Sequence, residues 1–347
     1  MQRSTVMPSW ENTVALAVRA ALIALIALAA FAALLTAAGK DPLKAYIDTM
    51  RYVFGNAYGF SELLVRMIPL LLTAVAAALP SRIGLINVGG EGQLYMGAWL
   101  ATAGALAFAG QPVFVLLPLL TLLGFIGGGL WALIAGVLRG LRIVNETIST
   151  LLLNYVAPMI VGYFIFGPWR SPESSSYPES PAFTDAARLP VFLHTRVNAG
   201  LLYALICLVI YWLVMTRTHW GLEMRAIGGN PEAARQLGIP VFRYILVVMF
   251  AAGGVAGLAG MVEVSAIQGR LVSELSPGYG FIGFLVAWLA KTSASGIVVM
   301  AFLFAVLSSV GDILQITQGL PFAVVNILMA VILFIVMGWP PARSVRQ

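Results

Sequence analysis

Four polar stretches interrupt an otherwise apolar chain of 347 residues, and their side chains offer hydrogen-bond donors, acceptors and helix caps. The first, Gly84 to Gln93, reads GLINVGGEGQ and follows Pro80, Ser81 and Arg82. Its four glycines argue against a regular helix, since each costs about 1 kcal/mol relative to alanine. Non-helical backbone at membrane depth is tolerated only where it is buried in protein or lines a water-filled cavity. Asn87, Glu91 and Gln93 would then face a pathway or a helix interface. The plainer alternative is a cytoplasmic turn between two spans.

The second stretch, Asn145 to Tyr155, reads NETISTLLLNY and opens an apolar run. Asn145, Thr147 and Ser149 suit a helix cap, and Glu146 falls in the first turn, where a carboxylate complements the helix dipole. Ser149 and Asn154 lie roughly on one side, and polar groups inside a membrane usually face the bundle interior. Capping plus interhelical hydrogen bonds is the plainer reading here. In the third stretch, Thr216 to Pro240, the run GGNPEAARQLGI spans Gly228 to Ile239. Asn230 can cap, Pro231 suits the first helical position, Glu232 and the pair Ala233 and Ala234 follow, and Gly238 closes the segment. This makes one helix of about two turns, too short to stand alone. With Arg225 and Arg235 beside it, it must dock on a membrane surface or in another protein's groove. The fourth stretch, Gly311 to Pro321, places Asp312 and Gln315 three apart on one helical face, or is a simple outer loop.

Other chemistry is missing from the sequence. The chain has one cysteine, Cys207, and two histidines, His194 and His219, too few for a metal cluster or a disulfide framework. It contains no GxxxxGK[ST] phosphate cradle, no HExxH pair and no GxSxG elbow. No chain of paired carboxylates stands out as a proton or sodium relay, and Glu62, Glu263 and Asp312 read as isolated interfacial acids.

The elements that hold these stretches follow from composition. Hydrophobic residues make up 60% of the chain and charged ones 10%, with a mean hydropathy of +0.93, whereas a soluble domain carries about 25% charge. The chain is therefore expected to be an integral membrane protein, all-α, a polytopic bundle of about ten transmembrane helices forming one domain over 1–347. Candidate spans are Thr13–Ala38, Ser61–Leu79, Leu94–Ala109, Val113–Leu138, Glu146–Phe166, Asn198–Thr216, Val241–Ile267, Gly278–Ala290, Ser295–Val310 and Phe322–Gly338. The first exceeds the 7 to 15 apolar residues usual in a signal peptide, so it is read as a span. With the N-terminus inside, eleven Lys and Arg fall in inner segments and seven in outer ones, which puts both termini in the cytoplasm. The net charge of +6 belongs to those inner segments and does not indicate nucleic acid. Residues 217–240 form the main cytoplasmic loop and residues 168–197, rich in Ser and Pro, the long outer one.

An internal echo supports a repeat. GGEGQLYMGAWLA at Gly89 and GYGFIGFLVAWLA at Gly278 share five identities at an offset of 189 residues, a number that Gly- and Ala-rich sequence can also produce by chance. A true repeat would enter the third and eighth spans and have opposite orientations, giving inverted repeats with Gly-broken helices.

In this order, the motifs GLINVGGEGQLYMGAWLA, NETISTLLLNY, GGNPEAARQLGI and GDILQITQGLP resemble those of permease subunits of bacterial ABC importers for simple sugars, nucleosides and branched-chain amino acids, nearest the simple-sugar and nucleoside branch. The likeness is strongest over residues 61–338. It implies a permease of the bacterial inner membrane, most simply for nucleosides, with ribose-type sugars or branched-chain amino acids as alternatives and an ion-coupled secondary transporter as the rival class. The resemblance also implies that the permease is not itself an enzyme and needs no cofactor, with Mg-ATP held by a separate ATP-binding subunit. A second permease subunit, identical or related, and an extracytoplasmic substrate-binding protein complete the implied assembly within the lipid bilayer. On the same basis Asn87, Glu91, Gln93, Ser149, Asn154 and Gln315 would border the translocation pathway. Arg225, Asn230, Pro231, Glu232, Ala233, Ala234, Arg235 and Gly238 would form the cytoplasmic coupling helix and its flanks.

Overall fold

A computed structural model describes residues 25–26, 29–37, 39–173, 177–192, 195–319, 327 and 330. The described chain forms two compact units, one from Met1–Gly59 with Val306–Gln347 and one from Phe60–Ala305. All regular elements in the described residues are helical, with two isolated antiparallel bridges, Glu179 to Val272 and Val191 to Asn198.

In the smaller unit, residues 31–37 are helical, and α1 (Pro42–Phe54) starts at the Asp41 cap. Phe31, Leu35, Ala45 and Leu314 make the core there. The larger unit contains α2 (Ala57–Ser81), α3 (Gly90–Ala107), α4 (Val113–Gly140), α5 (Glu146–Phe166), α6 (Gly200–Arg217), α7 (His219–Gly229) and α8 (Pro231–Gln236). α9 (Val241–Val262) continues as a π-helix (Glu263–Gln268) and ends at left-handed Gly269, followed by α10 (Tyr279–Leu289) and α11 (Ala294–Gln318). Both units' boundaries fall within helices.

Six described helices are long and apolar enough to cross a membrane. Their burial separates two roles: the apolar windows of α2 and α9 are 83% and 72% buried, against 28–33% for α4, α5 and α6. An apolar helix buried all round belongs in the core of a bundle, and one exposed along most of its length faces lipid. The close approach of α3, α4 and α9 depends on glycine. A Cβ at Gly128 would lie 2.2 Å from the Gly253 carbonyl oxygen, one at Gly257 2.2 Å from that of Gly124, and one at Gly97 2.3 Å from the Gly257 Cα. These small residues four apart let backbones touch where lipid supplies no hydrophobic drive for helix association.

Several expectations change. The third and eighth apolar runs are the helices α3 and α10, each preceded by irregular chain, and neither reaches the length and hydropathy of the six long helices. Of the two readings of Gly311 to Pro321, the helical one holds as far as Gln318, where left-handed Gly319 ends the helix. The polar stretch from Thr216 to Pro240 holds two helices: Thr218 caps α7 by accepting the Gly221 N–H, one residue after α6 ends at Arg217. Glu62 is not isolated, since it pairs with Arg66 at 3.5 Å and Arg196 at 3.1 Å, and Glu263 is buried. Most of the first apolar run, nearly all of the last, and His194 lie outside the described residues.

Candidate functional site

The interrupted segment begins where α2 ends. Pro80 lies in the last turn of α2, and Gly84 takes a left-handed φ of +76°. The Ile83 and Leu85 N–H groups both return to the Pro80 carbonyl. The chain then runs without helix to Gly89, a position with no Cβ to spare: one there would lie 2.9 Å from Thr150 Cβ. Such backbone inside an apolar bundle must find partners for its peptide groups.

The side chains singled out from the sequence supply them. Asn87 and Gln93 are 1% exposed and exchange amide bonds: Gln93 Nε2 donates to Asn87 Oδ1 at 2.9 Å, and Asn87 Nδ2 donates to Gln93 Oε1 at 3.2 Å. Asn87 Oδ1 also accepts the Gly89 N–H at 3.0 Å. From α5, Asn154 accepts the Gly92 N–H at 2.8 Å and donates to the Val88 carbonyl at 2.8 Å. Ser149 is buried and turns back to the Asn145 carbonyl on its own helix, so it adds nothing across the interface.

Glu91 reaches further. Its Oε2 accepts the Gly280 N–H at 2.7 Å, so a carboxylate in the first turn of α3 caps the opening turn of α10. The two helix starts touch closely: a Cβ on Gly280 would lie 2.0 Å from the Glu91 nitrogen, and one on Gly90 would lie 3.3 Å from the Gly280 Cα. α3 starts at Gly90 and α10 at Tyr279, 189 residues apart, and Glu91 and Gly280 have the same separation. The offset of the sequence echo is therefore also the offset of a physical contact. Spanning 11 residues, α10 is about 16 Å long at 1.5 Å per residue, roughly half of a hydrocarbon core of about 30 Å.

Residues outside the candidate pathway set complete the junction. Thr73 Oγ1 donates to the Tyr279 carbonyl at 3.0 Å, and Gly283 leaves room for it. Glu146 Oε1 accepts the Ile86 N–H at 3.2 Å, while its other oxygen lies 2.9 Å from Arg139 Nε. Thr150 accepts the Val88 N–H at 3.3 Å. A lone threonine in an apolar run has no local signature, and the signal that could have found Thr73 was the glycine opposite it. Gln315 is exposed on α11 in the other compact unit.

The α7–α8 hairpin is built differently. Asn230 Oδ1 accepts the Glu232 and Ala233 N–H groups at 3.0 and 3.1 Å, with Pro231 at the first helical position of α8. Ala234 is buried, while Pro231, Glu232, Ala233, Arg235 and Gly238 are exposed and Leu237 is 77% exposed. Glu232 and Arg235 pair at 2.9 Å on the surface, Arg225 holds the Met215 carbonyl, and Gly238 turns the chain at φ +80°. α7 then meets the interrupted segment: a Cβ on Gly228 would lie 2.4 Å from the Arg82 carbonyl oxygen. Arg82 itself donates to Tyr211 of α6 at 3.0 Å and to the Thr292 carbonyl, beyond α10, at 2.5 Å.

Apolar helices joined by glycine seams, with two interrupted helices meeting at their starts, mark a polytopic membrane protein. The chain belongs to the family described as branched-chain amino acid transport system permease components, whose profile matches residues 59–337. It is similar to the glucose ABC transporter permease protein TsgB13 of Haloferax volcanii, 37% identical over 314 residues that cover 87% of this chain and 82% of that protein. It is also similar to the guanosine ABC transporter permease protein NupP of Bacillus subtilis, 32% identical with 91% of each chain covered. The nucleoside ABC transporter permease protein NupB of Lactococcus lactis is 31% identical, with 91% of this chain and 89% of that protein covered. No solved structure matches the chain.

Proposed function

We propose that this chain is the membrane-spanning subunit of an ATP-driven importer that carries nucleosides across the bacterial inner membrane, with ATP hydrolysed on a separate subunit. The full chain would cross about ten times, with both termini in the cytoplasm and two inverted halves related by the 189-residue offset. A second permease subunit would complete the path, and an extracytoplasmic binding protein would deliver the solute.

The observation that carries this reading is an unbroken run of contacts from α8 to Glu91. α8 continues from α7, α7 rests on Arg82 through Gly228, and Arg82 opens the segment that leads to Glu91 and, through it, to α10. A push on the exposed α8 by a closing ATP-binding subunit has a route to the place where both broken helices meet. Asn87, Gln93 and Asn154 hold the shape of that place with hydrogen bonds to backbone and to one another. Their role is to position the wall of the path, while selectivity resides largely in the delivering protein.

Likeness to two nucleoside permeases over about nine-tenths of each chain supports nucleosides. A simple sugar is the second reading, favoured by the 37% identity to a glucose permease. Uptake of labelled guanosine, ribose and glucose in cells carrying the transporter separates them. Nucleoside uptake lost on ATP depletion and retained on collapse of the proton gradient is the expected result. Sugar uptake alone moves the assignment to the second reading, and gradient-driven uptake without ATP overturns the importer.

A further inference from the structure

The last turns of α2 and α10 border a cavity of about 260 Å³. Its walls change character along both helices. Ala77, Phe284 and Ala287 line it one to two turns inside, whereas Ser81, Lys291 and Thr292 line it at the helix ends. Trp288 beside it is 57% exposed, and Phe281, two turns earlier on the same flank, is exposed as well. An apolar flank left open in this way faces lipid, and an aromatic ring at the end of a span marks the headgroup level.

The backbone at the polar end is held in an unusual form. Lys291 and Thr292 both take a left-handed φ, +48° and +55°, a region that a β-branched residue such as threonine rarely enters. Their N–H groups return to the Trp288 and Ala287 carbonyls at 3.0 Å each, and the Thr292 carbonyl accepts from Tyr211 at 2.6 Å and from Arg82. Such strain persists only where the surroundings over-determine it, and it gathers at ligand clamps. Here it fixes the point at which Lys291 leaves the chain, at the edge of the cavity.

The positive charge at this end is uncompensated. Residues 67–90 and 275–311, which supply α10, the cavity-lining part of α2 and the turns after both, contain no Asp or Glu, and neither does α6. Glu223 of the neighbouring α7 is engaged by the Tyr244 hydroxyl. Neither Arg82 nor Lys291 pairs with a carboxylate among the described residues. A cavity that is apolar within and cationic at its end is complementary to an anionic amphiphile. The proposed topology puts Lys291 at the cytoplasmic leaflet, which carries anionic lipid, and basic pockets between spans at that level take such headgroups.

We propose that this cavity binds an anionic phospholipid, with the phosphate on Lys291 beside Arg82 and the start of an acyl chain against Ala77, Phe284 and Ala287. The site goes beyond the importer reading and does not depend on the cargo. Bound lipid braces the end of α10 opposite its junction with Glu91.

The test uses the full chain, purified in detergent with its partner subunits and stripped of lipid, and native mass spectrometry to count retained phosphatidylglycerol or phosphatidylcholine. Wild type is expected to keep phosphatidylglycerol in preference to phosphatidylcholine. Lys291→Gly suits the left-handed backbone, so it should leave the thermal midpoint in phosphatidylcholine unchanged while weakening phosphatidylglycerol about fivefold. Lys291→Arg should restore the preference, and Ser81→Trp, which fills the cavity without changing its charge, should abolish it. Equal retention of the two lipids by wild type overturns the proposal, as does undiminished phosphatidylglycerol binding in Lys291→Gly. Wild-type binding in Ser81→Trp overturns it too, since the lipid then lies elsewhere on the bundle. Displacement of the lipid by millimolar inorganic phosphate also overturns it, and assigns Lys291 to a free anion.

Discussion

The junction at Glu91 and the hairpin at α8 are both short polar interruptions in an apolar chain, yet they are held in opposite ways. At the junction the bonds that tie helix to helix join segments distant in sequence, as Asn154 does to Gly92 and Val88 and Glu91 does to Gly280. At α8 the bonds are local: Asn230 caps its own helix, Glu232 pairs with Arg235 three residues on, and Ala234 is the residue that faces inward. The buried junction has no water to replace a lost partner, so its polar groups are costly to disturb. The exposed hairpin keeps its surface available for a partner. Rigidity at one end and availability at the other are what a transmitting device requires.

The contrast can be broken most severely at Gly280. Gly280→Val places carbon 2.0 Å from a backbone nitrogen that cannot move aside, and a loss of about 3 kcal/mol or more is expected from overpacking, seen as loss of folded protein in detergent. Glu91→Ala should cost less, about 1–3 kcal/mol for leaving a buried donor unpaired. It should lower the thermal midpoint and uptake together. Glu91→Gln keeps an acceptor for Gly280, so it should retain most of the stability while uptake falls. Normal uptake in Glu91→Gln would remove the charge of Glu91 from the mechanism. Asn230→Ala removes a cap worth about 1 kcal/mol, and hydrogen exchange should show faster exchange confined to α8. Exchanging the charges, Glu232→Arg with Arg235→Glu, should change stability least, since exposed pairs contribute about 0–1 kcal/mol. ATP hydrolysis should nevertheless uncouple from uptake; unchanged coupling would show that this face of α8 makes no contact with the ATPase.

How much could be read beforehand differed between the two regions for the same reason. The α8 cap, its proline and its closing glycine lie within nine residues, Asn230 to Gly238, and the helix is where the spacing places it. α7 carries little local signal, because it starts one residue after α6 ends and a single threonine cap is a weak mark. At the junction the glycines announced irregular backbone and Asn87, Glu91 and Gln93 announced polar need. What met that need was not legible, because Thr73, Asn154 and Gly280 are 62 to 206 residues from the partners they serve.

Composition and periodicity alone determined that the chain is helical and belongs in a membrane, since apolar content, helix caps and glycine breaks act between near neighbours. Only the tertiary structure decided that two broken helices meet at Glu91 and Gly280 and that α2 and α9 occupy the bundle interior while α4, α5 and α6 present their flanks. Those facts depend on which backbones can approach within the radius of a missing Cβ, a property of pairs of glycine-bearing surfaces that no single segment contains.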